Sequence, residues 1–180
     1  MAAASSWSTE DVLFLERLSA PNAVINYTRI AGRLSLHASS SGLVLLAYGP
    51  TSLKEAVLSG PLIAYTSATP AAPARLREVL AEVRQQGYAY CPGYVHQEAL
   101  GIAAPVRGAE GAVVAAPSVI VPNESSAHAV VPVVRSAAGA AALEHQLHGR
   151  APDEVLTTKG DMREVAITGH GARGTGHGSA

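Results

Sequence analysis

The chain has 180 residues, of which 48% are hydrophobic, so it can bury the core of one domain. Its formal net charge of -1 excludes a strong nucleic-acid binder that works by neutralising phosphates. The single cysteine excludes an internal disulfide and is typical of a reducing cytosol. The sequence shows no secretion signal and no run of about 20 uncharged apolar residues, so we expect a cytoplasmic protein without a membrane segment.

The N-terminal segment is predicted to hold one β-hairpin. Residues 1–9 are small and polar apart from Trp7 and predict a disordered lead. Branched apolar residues then predict strands over 12–18 and 23–30, separated by a turn with a proline and an asparagine. We expect a single domain over residues 10–149.

Two helices with N-terminal signals follow. The small-residue run from Ser39 to Gly42 precedes an apolar helix that ends near residue 47, and it places hydroxyls and free N–H groups at a helix N-terminus. Such a terminus can hold a carboxylate or another anion; the alternative is helix capping alone. Ser52 and Glu55 have capping-box spacing and predict a helix over 52–58.

An amphipathic helix is predicted over residues 74–86, and a strand begins at 88–90. Apolar side chains recur on one face of this helix, charged residues occupy the other, and Gly87 marks its end. The apolar face consists of Leu76, Val79, Leu80 and Val83.

Two long apolar strands, 99–106 and 112–121, are predicted to form a central hairpin. They are joined at 107–111, where two glycines allow the chain to reverse. Their small residues suit a sheet covered on both faces and leave room for a ligand or another backbone. An alanine-rich helix over 124–148, with Pro132 in its first turns or kinking it, is predicted to cover the sheet. Its apolar residues are Val130, Val131, Val134, Leu143 and Leu147.

The tail over residues 150–180 is rich in glycine and histidine and predicts disorder. Gly169–Gly174 satisfies the dinucleotide-binding pattern, but only six residues follow, so no helix can hold a pyrophosphate. His145 and His148 are one helical turn apart, yet no further ligands stand at zinc-site spacing. We expect neither a cofactor nor a metal.

A nucleophilic cysteine is the only enzyme hypothesis that the sequence offers. Cys91 could pair with His37 or His96, but no helix N-terminus or cation is predicted beside it to lower its pKa. A passive, partly buried thiol is the favoured interpretation, and we do not expect an enzyme.

Four motifs are the basis of a family resemblance. They are Arg33–Ala47, the Tyr65–Thr69 loop, Gly87-Tyr88, and the hairpin GIAAPVRGAEGAVVAAPSVIVP. In order and spacing they resemble the effector-binding domain of IclR-type bacterial transcriptional regulators, although Ser35 replaces the usual proline and Leu43 the usual lysine. The resemblance implies an α/β (α+β) fold of the GAF-like or profilin-like sort, with a mainly antiparallel sheet of about six strands and helices on both faces.

The resemblance also implies a site, since effectors of this family bind between the small-residue loop and the face of the central sheet. Cys91 occupies an acidic position of the family, and Ile120 replaces one of two hydroxyls. Each lost hydrogen bond is worth about 0.5–1.5 kcal/mol. We therefore predict a small organic acid as effector, aromatic or longer-chain rather than a short oxo acid. The effector-binding residues that the resemblance implies are Asn26, Leu34, Ser39, Ser40, Ser41, Cys91, Ala99, Gly101, Ser118 and Ile120.

Such domains assemble as a homodimer or homotetramer and pass the ligand signal to an N-terminal winged helix-turn-helix that binds DNA. The sequence begins at about the first strand of the sensor, so we expect DNA binding only through a domain that it lacks. It is then either a truncated sensor or a natural DNA-free relative. The alternative function is a ligand-free interaction module that dimerises with full-length relatives.

Overall fold

The structure, a computed structural model, describes residues 11–17, 33–108, 110–148 and 164–167. The strands are β1 (Asp11–Arg17), β2 (Arg33–Ser35), β3 (Ala89–Pro92), β4 (Ala99–Ala103), β5 (Val106–Arg107), β6 (Val113–Pro122) and β7 (Glu164–Ile167). The helices are α1 (Ser40–Tyr48), α2 (Thr51–Ser59), α3 (Pro73–Gln86) and α4 (Val131–His148), and a 3₁₀ helix over Ser125–Val130 precedes α4.

All strand pairs of the sheet are antiparallel, in the order β2-β1-β7-β6-β4-β3, with β5 paired to β6. This confirms the α+β fold that the resemblance implies. The predicted strand over 99–106 is interrupted at Ala104 and Pro105, because proline has no N–H to donate to a neighbouring strand. The described strands therefore number seven rather than about six.

The N-terminal and C-terminal segments bear on four predictions. Disorder is predicted across the tail over 150–180, whereas Glu164–Ile167 form β7 between β1 and β6. The rest of that tail, the lead over 1–9 and the strand predicted over 23–30 lie outside the described residues. The first predicted strand corresponds to β1.

α1, α2 and α3 begin and end close to their predicted bounds, whereas α4 begins at Val131 rather than at 124, because the preceding turns form a 3₁₀ helix. α3 has proline in its first turn, and its end at Gly87 has a φ of 78°, which glycine adopts without strain. The capping box predicted for Ser52 and Glu55 is wrong: α2 begins one residue earlier, with Pro50 at the N-cap position and no side-chain cap.

Helices cover both faces of the sheet, as predicted. α1 and α3 pack on one face, and their core includes Leu43, Leu46 and Leu76. α4 packs on the other face, where Val131 and Val134 join Leu100 and Ile102.

Two details of α4 differ from the prediction or refine it. Leu143 is 58% exposed, so it does not cover the sheet, and the side chain of Leu147 lies outside the described residues. Pro132 is the second residue of α4, at the junction with the 3₁₀ helix, so it starts the helix rather than kinking it.

One described stretch, Ser125–Glu144, is long and apolar enough to span a membrane by length and composition. It contains Arg135, and it buries Val134 and Ala138 against the sheet. A helix that covers a core passes the same length test, so this stretch is weak evidence for a membrane segment.

Candidate effector site

The candidate site is built on a row of small and apolar residues across three strands. Gly101 of β4 lies opposite Cys91 of β3 and Ile120 of β6. Residues that face each other across an antiparallel pair share one side of the sheet, and this side carries α1. The next pair on the same side joins Ala103 to Ser118. The structure therefore brings four of the predicted site residues together under α1.

The first turn of α1 closes directly onto this row. A Cβ built at Gly101 would lie 2.9 Å from the Ser40 Oγ, 3.2 Å from the Ser40 Cβ and 3.4 Å from the Ile120 Cδ1. Glycine is thus needed at position 101 because a helix turn fills the space above it. The room predicted from the small residues of the strand is occupied at this point by Ser40.

The three serines have different roles. Ser39 is the N-cap of α1: its Oγ accepts a hydrogen bond from the Gly42 N–H at 3.1 Å and donates to the Ser35 carbonyl at 3.4 Å. Ser40 contacts the sheet. Ser41 is 1% exposed, and its Oγ has no hydrogen-bond partner among the described residues.

We call the N-terminal end of α1, with Ser39, Ser40 and Ser41, the serine corner. Its electrostatics favour an anion. The first turn of α1 contains no acidic residue, and the N-terminus of a helix carries partial positive charge. Cys91 is buried, and desolvation raises the pKa of its thiol well above the ordinary range, so the row stays neutral. A neutral, buried thiol is also a poor nucleophile, which removes the physical basis for the Cys91 enzyme hypothesis.

The other predicted residues lie around this corner with less direct contact. Leu34 is half-buried and packs against the core under α1. Ala99, at the start of β4, is half-buried, and its carbonyl accepts from the Gly93 N–H at 2.9 Å. Asn26 lies outside the described residues.

Sequence reasoning missed the loop that holds this corner in place. The buried Thr69 Oγ1 donates to the Tyr94 carbonyl at 2.6 Å and accepts from the Thr66 N–H at 2.9 Å. The Thr66 hydroxyl donates to the Gly93 carbonyl at 2.6 Å. The loop before α3 is thereby tied to the chain between β3 and β4. The threonines were visible only as part of a family motif.

A buried histidine ties the same loop to the serine corner. His37 is 2% exposed, and its Nε2 lies 2.9 Å from the Ile63 carbonyl. Nearby, the hydroxyls of Ser35 and Tyr65 are 3.0 Å apart. His37 therefore has a structural hydrogen bond that explains its burial.

A curled antiparallel sheet with helices on both faces is the architecture of the GAF-like class of effector-binding domains. In this chain the serine-capped helix α1 closes on one face of the sheet. Residues 4–144 match the family described as bacterial transcriptional regulator IclR C-terminal, and the chain belongs to that family. The resemblance seen in the sequence is thus confirmed.

Known proteins of this family resemble the chain in sequence and structure. An IclR homolog from Microbacterium hydrocarbonoxydans, complexed with 4-hydroxybenzoate, is 43% identical with a TM-score of 0.72, over 80% of this chain and 59% of that one. The HTH-type transcriptional regulator XynR of Escherichia coli K12 is 35% identical over 105 residues, which are 58% of this chain and 42% of XynR. The chain therefore spans less than two thirds of both proteins.

A third comparison supports the fold alone. The inducer-binding domain of a PobR double mutant from Acinetobacter, in complex with 3-hydroxybenzoic acid, has a TM-score of 0.66 at 23% identity, over 76% of this chain and 83% of that one. The named relatives are transcriptional regulators, so the chain belongs to a family of regulators and not of enzymes.

Proposed function

We propose that this chain is the effector sensor of an IclR-type regulator and binds a small organic acid at the serine corner. The observation that carries the proposal is the Ser41 hydroxyl, buried without a described partner in the first turn of α1. A buried hydroxyl without a partner costs about 1–3 kcal/mol, and a ligand carboxylate would satisfy it. The helix N-terminus would stabilise the same negative charge.

The sheet side of the site favours an apolar body on this acid. Cys91 and Ile120 offer no hydrogen bond of ordinary strength, and Ser118 is the hydroxyl left on this face of β6. An aromatic carboxylate fits this combination better than a short oxo acid. The 4-hydroxybenzoate bound by the Microbacterium homolog, at 43% identity, makes hydroxybenzoates the first candidates.

The proposal for the protein's wider role is based on its family. We infer that the sensor forms a homodimer or homotetramer in the cytoplasm, and that it reaches DNA only through a winged helix-turn-helix domain of a longer protein. An effector would then act by favouring one of two assemblies over the other. Sedimentation velocity with and without effector measures the assembly directly.

The decisive experiment is a thermal-shift and calorimetric panel on the full chain. The panel contains 4-hydroxybenzoate, 3-hydroxybenzoate, benzoate and octanoate, with glyoxylate and succinate as short polar acids. At a concentration about 100-fold above Kd, a ligand adds about 2.7 kcal/mol to the free energy of unfolding, which raises Tm by several degrees. We expect this rise for the aromatic acids. A preference for glyoxylate or succinate would contradict the proposed ligand class.

A second function has one observation in its favour. The close contact of Ser40 with Gly101 is what a domain without a ligand would show, and such a domain would dimerise with full-length relatives. If no acid of the panel raises Tm while the chain still self-associates, this ligand-free interaction module is the better description.

A further inference from the structure

A cleft of about 410 Å³ lies between α2 and α3, away from the serine corner. Its apolar lining comes from Leu58 and Leu80, and its polar lining includes Lys54, Arg77 and Arg84. The sequence did not predict it, because a cleft between two helices depends on how they are oriented.

The charges of this cleft are unbalanced. Three cations line it against one carboxylate, that of Glu55, although the whole chain has a formal net charge of -1. In the part of the chain that the structure describes, none of these three cations forms an ion pair. The excess positive charge is therefore local and uncompensated.

The acidic residues of α3 do not neutralise the cleft because they pair elsewhere. Arg75 lies 3.0 Å from a Glu78 carboxylate oxygen and 3.3 Å from one of Glu82. Arg75 is not part of the cleft lining. α3 thus has one arginine paired with its carboxylates, while Arg77 and Arg84, two helical turns apart, line the cleft.

One cation of the cleft, Arg84, is held in place by a hydrogen bond to α1. The Arg84 Nε donates to the Ala47 carbonyl at 2.7 Å, near the C-terminal end of α1, which leaves its terminal N–H groups for a ligand. Partial burial, and then the charge of Arg84, lower the pKa of Lys54. The two cations are therefore near enough to repel each other, and a bound anion would relieve that repulsion.

We propose that the α2–α3 cleft is a second ligand site, which binds a small multivalent anion such as a phosphate ester or a polycarboxylate. Arg77 and Arg84 offer planar, multiple N–H donors suited to phosphate and carboxylate oxygens, and Lys54 adds a mobile charge. Leu58 and Leu80 would contact the apolar part of the ligand. The site is separate from the serine corner, which lies at the opposite end of α1, about 10 Å away along the helix.

The test is a titration of the full chain with pyrophosphate and with citrate, against sodium chloride at matched ionic strength. Isothermal calorimetry gives the affinity, and amide NMR shifts locate the site. For Arg77→Gln we expect about a tenfold loss of affinity, the usual effect of removing a hydrogen bond to a charged group. Arg75→Gln is the matched control, since it removes an arginine of the same helix that lies outside the cleft; its affinity should change less than about twofold.

A second readout depends on Lys54 alone. Its pKa, followed by NMR of the side-chain nitrogen, should rise when citrate binds, because an anion stabilises the charged ammonium. The proposal is overturned if neither anion binds, if sodium chloride produces the same shifts, or if Arg75→Gln weakens binding as much as Arg77→Gln. Binding of 4-hydroxybenzoate should be unchanged in Arg77→Gln, so this test is independent of the effector proposal.

Discussion

Ser40 of α1 and Gly101 of β4 are packed so closely that no side chain fits between them. A Cβ at position 101 would lie 2.9 Å from the Ser40 Oγ and 3.2 Å from its Cβ. The hydroxyl can rotate away, but the Ser40 Cβ moves only if the first turn of α1 moves with it. This contact therefore couples the position of the helix N-terminus to the central strand.

The first prediction is that Gly101→Ala destabilises the domain by about 1–3 kcal/mol, the usual cost of overpacking. Urea unfolding monitored by circular dichroism measures the change. Gly139→Ala is the matched control: Gly139 lies in α4 with nothing within 4 Å of a built Cβ. Alanine should stabilise that helix by about 0.5–1 kcal/mol. Equal effects of the two substitutions would contradict the close contact at Gly101.

The second prediction distinguishes Ser39 from Ser41 by the sign of the stability change when each is replaced by alanine. Ser39→Ala removes the N-cap hydrogen bond to Gly42 and should cost about 0.5–2 kcal/mol. Ser41→Ala removes a buried hydroxyl without a described partner, so without ligand the stability should stay the same or rise by about 1 kcal/mol.

The same variants test the effector site. A ligand carboxylate would accept a hydrogen bond from Ser41. Ser41→Ala should therefore weaken binding of 4-hydroxybenzoate about tenfold while the domain remains folded. Exposed Ser59→Ala, at the end of α2, is the binding control and should leave the affinity unchanged. A stability loss in Ser41→Ala as large as in Ser39→Ala would show that the Ser41 hydroxyl is already satisfied.

Local patterns in the sequence predicted the elements well. The amphipathic spacing of α3 gave its ends to within one residue, since helical periodicity is a local property. The central hairpin was predicted for a similar reason, with two glycines at its turn. The break at Pro105 and the entry of β7 into the sheet were not predicted, because strand pairing depends on residues distant in sequence.

The candidate site was predictable as a set of residues but not as a geometry. The family motifs identified Cys91, Gly101 and Ile120, which the register places side by side. The contact of Ser40 with Gly101 and the hydrogen bond from Thr69 to the Tyr94 carbonyl join residues 25 or more positions apart, and no local pattern encodes such contacts. Effector binding by these residues stays a prediction.

The third prediction concerns pH. Burial raises the pKa of the Cys91 thiol in the folded state, so the folded chain keeps this proton at pH values where the unfolded chain loses it. Stability is then fully present below the ordinary thiol pKa of about 8.5 and falls as pH rises above it, by at most about 1.4 kcal/mol per pH unit. Urea unfolding at pH 7 to 9.5 should show this slope, and Cys91→Ala should lack it.

A second acid limits the pH window of that experiment. Desolvation, and to a smaller extent the nearby Cys91, also raise the pKa of the Tyr94 hydroxyl. The contribution of Tyr94 to the pH dependence of stability therefore has the same sign as that of Cys91, but it begins near pH 10. Below that pH the difference in slope between the unsubstituted chain and Cys91→Ala should come from the thiol. The native thiol should also react slowly with iodoacetamide, and rapid alkylation without unfolding would contradict its burial.

The fourth prediction is that the Thr69 hydroxyl is essential for the loop before α3. Thr69→Val keeps the shape of the side chain but leaves the Tyr94 carbonyl and the Thr66 N–H without this partner. We expect a loss of about 2–4 kcal/mol, since each buried unsatisfied group costs about 1–3 kcal/mol. Amide exchange of Thr66 should become faster at the same time. A loss below about 0.5 kcal/mol would mean that the loop is held by other contacts.

The fifth prediction concerns effector choice and uses two adjacent residues of β6. Ile120 faces α1 and lies against Gly101, whereas Val119 packs in the core on the α4 side. Because neighbouring strand residues point to opposite faces, Val119→Ser is a matched control for Ile120→Ser. Ile120→Ser should weaken 4-hydroxybenzoate binding about fivefold to tenfold and strengthen glyoxylate binding, as it exchanges apolar surface for a hydroxyl. Val119→Ser should lower stability without changing the ratio of the two affinities, and a changed ratio there would place the ligand elsewhere.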